Sequence, residues 1–201
     1  MSSWVESPRV AAILESYPEL RSAVMPLLYL AMKDHGHLTD EAIREVRELV
    51  GLTSAQVSSV SSFYTMYKRR EVGQYLVSVC TSVSCMLLGG KDVLHAVEDE
   101  SGVPPGETDG TLSVEHVECI GACGGAPAVQ VNYELIEGVA PAQARQLVQW
   151  LRTASPEVVG GDEMQALFGG QRSFEWGPSE SQGAVSPLPA LEHLGSAENI
   201  S

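Results

Sequence analysis

The sequence predicts a mixed α+β chain in three zones: an N-terminal four-helix bundle over residues 1–72, an α/β sandwich over 73–153 and a C-terminal extension over 154–201. Three patterns carry that division. Apolar residues recur at helical spacing through residues 8–70, and β-rich runs alternate with helical ones through residues 74–153. The last zone sets seven acidic residues against one basic among many Gly, Ser and Pro.

The helical zone reads as four segments. Pro8 to Tyr17 places Val10, Ile13, Leu14 and Tyr17 on one face. A second helix from about Arg21 to Asp34 carries Val24, Leu27, Leu28 and Ala31, with Pro26 in its first turns, where a missing amide costs least. Thr39 can cap a third helix to about Val50; Asp40 and Glu41 favour its positive end, and Gly51 stops it. Thr53 and Gln56 form a capping box for a fourth helix, which reaches Phe63 and Tyr64.

The middle zone begins with Gln74 to Cys80, a β-rich run that ends on a cysteine. Met86 to about Asp99 reads as one helix, within which Gly89-Gly90 predicts close packing. Gly102 to Gly110 is a loop, and Thr111 to Glu118 alternates as a strand. Ala128 to Asn132 and Glu134 to Glu137 suit a hairpin, and Pro141 opens a last helix to about Arg152. In the third zone only Leu167, Phe168, Phe174 and Trp176 offer sizeable anchors. So little apolar surface predicts a disordered or extended tail, or one laid across a partner.

Composition excludes several functions. The net charge of −14 disfavours direct contact with nucleic acid or anionic lipid, both of which demand basic surface. The sequence shows no apolar run of membrane-spanning length and no secretory leader, so the expected location is cytoplasmic.

All four cysteines fall within residues 80–123, as Cys80-x4-Cys85 and Cys119-x3-Cys123 separated by 33 residues. In a reducing compartment clustered thiols more often bind metal than form disulfides. Zinc and dithiol redox centres favour Cys-x2-Cys, a spacing absent here. A two-iron cluster is wider, with two cysteines per iron, and suits the longer gaps. Spacing favours iron over zinc without deciding between them. Cys80 at a strand end and Cys85 at a helix start can meet backbone amides, and the Gly-rich loop after Cys119 can bend around inorganic sulfide. His35, His37, His95, His116 and His193 are scattered and read as surface or packed residues, with His116 a candidate outer contact of the cluster. The sequence shows no nucleophilic triad, phosphate loop or dinucleotide fingerprint.

The chain resembles the thioredoxin-like [2Fe–2S] subunits of the NADH dehydrogenase module of respiratory complex I. The resemblance rests on Met25-Pro-Leu-Leu-Tyr-Leu-Ala31, His35-Gly36, Ser62-Phe-Tyr-Thr-Met-Tyr67, Val79-Cys-Thr-Ser-Val-Ser-Cys-Met86, Asp109-Gly-Thr-Leu-Ser113, Val117-Glu-Cys-Ile-Gly-Ala-Cys-Gly-Gly-Ala-Pro127 and Val129-Gln-Val-Asn132. It runs in order over about residues 8–153, departs at Leu112, where the family usually has Phe, and leaves out the tail. It implies a four-helix domain followed by a thioredoxin-like ferredoxin domain, with one [2Fe–2S] cluster on Cys80, Cys85, Cys119 and Cys123. It also implies a partner subunit that carries FMN, an NADH site and a [4Fe–4S] cluster, within a peripheral arm on the cytoplasmic face of the inner membrane. The chain would then be a subunit of an NADH:quinone oxidoreductase, without a complete active site of its own. Close alternatives are the equivalent subunit of an NAD-dependent formate dehydrogenase or NAD-reducing hydrogenase, a free ferredoxin shuttle, and a zinc-stabilised interaction module.

Overall fold

The computed structural model describes residues 2–174, 177–178 and 181–188. Two compact units are present, the first built on Met1–Glu71 and the second on Val72–Pro187.

The first unit contains α1 (Pro8–Glu15), α2 (Val24–His35), α3 (Asp40–Val50) and α4 (Ser54–Phe63), with 3₁₀ turns at Ser3–Glu6 and Leu20–Ala23. The caps are those the sequence specifies. Thr39 Oγ1 accepts from the Ala42 amide at 3.0 Å, Gly51 adopts φ 69° after α3, and Thr53 and Gln56 close their reciprocal box. The second helix starts later than expected, at Val24, because residues 20–23 wind more tightly as 3₁₀ turn. Leu27, Leu28, Ala31, Met32, Ala42, Val46 and Val57 are buried at the centre of this unit.

The second unit is mixed helix and sheet, with four strands in the order β2-β1-β3-β4. They are β1 (Tyr75–Cys80), β2 (Leu112–Val117), β3 (Val129–Val131) and β4 (Glu134–Ile136). β1 pairs parallel with β2 and antiparallel with β3, so it lies inside the sheet, and every one of its residues is buried. Between β1 and β2 run α5 (Val83–Leu87) and α6 (Gly90–Ser101); α7 (Pro141–Ala154) packs on α6. The expected hairpin joins β3 to β4 through Asn132 and Tyr133, both at positive φ as a tight hairpin turn requires. Asn132 also accepts from the Leu76 amide at 2.8 Å and donates to the Gln74 carbonyl, which stitches the turn to β1.

Two features depart from the sequence reading. The helix expected over Met86–Asp99 is two helices, broken at Gly89, whose φ of 95° no right-handed helix accommodates. The tail, expected to be disordered or extended, folds in part as α8 (Gly161–Phe168). Met164 and Phe168, four residues apart, share one buried face of α8, and Phe168 meets the Trp150 ring at a centroid distance of 5.5 Å. Val159, buried just upstream, completes this patch on the core of the second unit. Trp176, His193 and the segment from residue 189 onward lie outside the described residues. Among the described residues no helix is long and apolar enough to cross a membrane.

Candidate metal centre

Strand pairing brings the two cysteine segments to one end of the sheet, at the carboxyl ends of β1 and β2. Cys80 is the last residue of β1 and pairs with Val117, the last residue of its parallel neighbour β2, so Cys119 follows two residues beyond. Parallel strands place both carboxyl ends together, and the segments that leave them carry Cys85 within α5 on one side and Cys123 in the loop on the other. The Cys80 thiol lies 3.8 Å from the Glu118 carbonyl, and the Cys80 amide donates to the Ala128 carbonyl at 3.0 Å.

Burial divides the four thiols into two pairs. Cys80 and Cys85 are 3% and 2% exposed, whereas Cys119 and Cys123 are exposed. The inner pair packs with buried Ala128, surrounded by Val117, Ile120, Ala122, Ala126 and Leu135. Burial pushes the Cys85 thiol up to about 11, and the neighbouring Cys80 and Cys123 add to that, although the Ala128 amide works in the opposite direction. Both Cys80 and Cys123 thus act electrostatically on Cys85. Even so, among the described residues no three Cys, His, Asp or Glu side chains converge closely enough for a single metal ion. All four cysteines are free thiols.

Backbone packing fixes the inner pair. Gly90 opens α6 against the turn that carries the thiols: a Cβ there would lie 2.7 Å from the Cys80 carbonyl oxygen and 2.8 Å from that of Cys85. The expected close packing at Gly89-Gly90 is thus contact with the two cysteines themselves. On the outer side, Gly121 takes φ 90°, Cys123–Gly125 forms a 3₁₀ turn, and the Ala126–Pro127 peptide is cis. His116 lies exposed on β2 opposite Val79.

Residues 10–152 match the thioredoxin-like [2Fe–2S] ferredoxin family. The chain belongs to that family. An NADH-quinone oxidoreductase subunit from Mycobacterium tuberculosis (strain ATCC 25618 / H37Rv) is 43% identical over 147 residues, which is 72% of this chain and 58% of the relative. The chain thus aligns with less than two thirds of that protein's length. A subunit of the enzyme of the same name from Rhizobium meliloti (strain 1021) is 35% identical over 147 residues, covering 72% of this chain and 88% of the relative. Another, from Thermus thermophilus, is 39% identical over 135 residues, covering 66% and 75%. A crystal structure of an air-oxidised NAD+-reducing [NiFe]-hydrogenase superposes with a TM-score of 0.55 at 20% identity, over 65% of this chain and 23% of that one, a likeness of fold alone.

The donor set fits the group after which the [2Fe–2S] ferredoxin family is named. Thiolates are its ligands, a cluster of two irons spans more space than a single ion, and the lack of a single-ion site among the described residues does not count against it. Two buried thiols in an apolar shell beside two exposed ones give a site reachable from solvent on one side only. Sequence reasoning missed Glu137, a carboxylate only 3% exposed, placed behind the Cys123 loop. Its one signal was position: it ends the hairpin that faces that loop.

Proposed function

We propose that this chain is the electron-carrying subunit of an NADH:quinone oxidoreductase, holding one [2Fe–2S] cluster on Cys80, Cys85, Cys119 and Cys123. The observation that carries the reading is the meeting of both cysteine segments at the carboxyl ends of the paired parallel strands β1 and β2. The names of the three relatives support the enzyme assignment. When bound, the cluster supplies one-electron chemistry at potentials set by charge, hydrogen bonding and solvent access.

The chain's own residues do the rest. Cys80 and Cys85 hold the inner side of the site, and Gly90 fixes their carbonyls. Val117, Ile120 and Leu135 exclude water from the inner pair, which favours the less charged, oxidised cluster. Cys119 and Cys123 face outward, towards the redox partner. That partner is a larger subunit with FMN and an NADH site, and α5 supports docking there. Val83, Leu87 and Leu88 are 66%, 75% and 61% exposed beside buried Cys85, a run of apolar surface that a partner would cover. The helices of residues 1–72 are read as a four-helix bundle, residues 73–153 as the thioredoxin-like ferredoxin domain and residues 154–201 as an extension. The complex would place the chain on the cytoplasmic face of the membrane without inserting it.

The test is an EPR spectrum of the anaerobically purified chain after dithionite reduction, with iron and sulfide assays. A rhombic S = 1/2 signal with about two irons and two sulfides per chain supports the cluster. Stoichiometric zinc without sulfide, even after reconstitution, rejects it. Affinity purification of the tagged chain from its own cells then identifies the partner: a quinone-reducing flavoprotein complex supports the reading, and a hydrogenase or formate dehydrogenase replaces it.

A further inference from the structure

The segment after residue 152, beyond the family match, is hydrogen-bonded to Glu137 and packs through Ser173 against Gly124, next to Cys123. Gln165, at 9% exposure on α8, brackets the backbone of Glu137: its Oε1 accepts from the Glu137 amide at 2.8 Å, and its Nε2 donates to the Glu137 carbonyl at 3.1 Å. The Gly170 amide donates to the same carbonyl at 2.8 Å. Farther on, the Ser173 amide donates to Glu137 Oε1 at 3.1 Å, and the Ser173 hydroxyl donates to that oxygen as well. Glu137 in turn backs the cysteine loop. A Cβ on Gly125 would lie 2.7 Å from Glu137 Cβ, a Cβ on Gly124 would lie 2.9 Å from Ser173 Oγ, and the Gly138 amide donates to the Gly125 carbonyl at 2.6 Å.

We propose that residues 161–173 are a clamp that positions the Cys123–Gly125 turn for cluster binding, with Glu137 and Ser173 as its positioning residues. The proposal rests on the cluster reading above. Its physical basis is continuity: tail, buried carboxylate and glycine turn touch in sequence, with no room for a side chain at Gly125 and a tight fit against Ser173 at Gly124. Gly124 and Gly125 thus admit the tail and Glu137 closely enough to set where Cys123 stands. Neither positioning residue is a ligand, so their influence passes through the backbone of the turn.

The test uses the full chain, reconstituted with iron and sulfide, as wild type, Ser173→Ala, Glu137→Ala and Glu137→Gln. Cluster release to a chelator, the midpoint potential and the thermal unfolding midpoint are measured together. Release should quicken by on the order of tenfold in Ser173→Ala and Glu137→Ala, the equivalent of one buried hydrogen bond. The potential should shift with it, while Glu137→Gln, which keeps an acceptor oxygen and the side-chain volume, should restore most of the retention. Unchanged release and potential in both alanine variants would overturn the clamp. Should wild type take up no cluster, the cluster reading and the clamp's part in cluster binding fail together, and amide exchange of the Cys123–Gly125 turn decides whether the tail still positions that turn. Faster exchange in Ser173→Ala then supports that positioning, and identical exchange rejects it.

Discussion

Gly90 and Cys80 are in backbone contact across the start of α6, with the glycine's missing Cβ position only 2.7 Å from the Cys80 carbonyl oxygen. The Cys85 carbonyl crowds the same point. Both neighbours are backbone, so neither can swing away. Gly90→Ala should therefore cost about 3 kcal/mol, the upper end of the overpacking range, and should lower cluster occupancy by prising the inner thiols apart. Urea denaturation together with an iron assay checks both effects; a native midpoint with full iron content would show that the turn yields freely.

The ligand assignment predicts an uneven result from substitution. Cys85→Ser and Cys123→Ser should lose the cluster or bind it too weakly to survive gel filtration. His116→Ala, which alters an exposed β2 side chain, should keep the visible spectrum and the EPR signal.

Glu45 supplies a pH prediction for the first unit. Its carboxylate, 3% exposed on α3, accepts from the Ser2 amide at 2.6 Å, from Trp4 Nε1 at 2.9 Å and lies 3.0 Å from His35 Nε2. Burial alone would raise its pKa, but these hydrogen bonds outweigh it and hold the group at about 2, below the usual 4.5. A depressed pKa gives stability that is fully present above the unfolded value and is lost as pH falls from about 4.5 towards 2. The contribution is on the order of 3 kcal/mol. Wild type should lose more stability than Glu45→Gln between about pH 5 and 2, and parallel loss in the two proteins would refute the assignment.

Phe168→Ala tests whether α8 is integral to the second unit. Removing a ring packed on Trp150 should destabilise that unit by about 3–5 kcal/mol and speed amide exchange in α8. A shift in melting temperature no larger than that of a surface substitution would mean that α8 only rests on the core.

Leu87→Asp addresses the partner. A charge on this exposed α5 position should leave the cluster and the melting temperature unaltered. It should weaken association with the proposed flavoprotein partner by about 2 kcal/mol, the loss expected at an interface hot spot. Pull-down yields from tagged wild type and variant give the comparison.

Local chemistry made much of this architecture readable from the chain. Thr39, Gly51 and the Thr53–Gln56 box mark α3 and α4 because caps act within a turn of the residues that form them. The run ending at Cys80 and the hairpin through Asn132 and Tyr133 were legible for the same reason. The spacing of the Cys pairs pointed to the candidate site, and the strand pairing brings both segments to it. What stayed hidden depends on distant partners. Gly89 looked like any glycine in a helix until its left-handed φ broke that helix, and α8 has an ordinary composition that orders only against Trp150 and β4. Beyond its place at the end of the hairpin Glu137 gave no sign, because its burial is produced by Gly125 on one side and Ser173 on the other.

The parallel pairing of β1 with β2 also sets a timetable for synthesis. Cys80 leaves the ribosome with no neighbour for its strand, since Val117 is 37 residues later and Val129, on the antiparallel neighbour, later still. At typical elongation rates of about 5–20 residues per second, the interval to the end of β3 is roughly 3–10 s. During those seconds the nascent chain exposes thiols that the finished sheet buries. Cys80 and Cys85 thus reach their buried environment only when the last of these strands arrives, whereas Cys119 and Cys123 stay exposed in the finished fold.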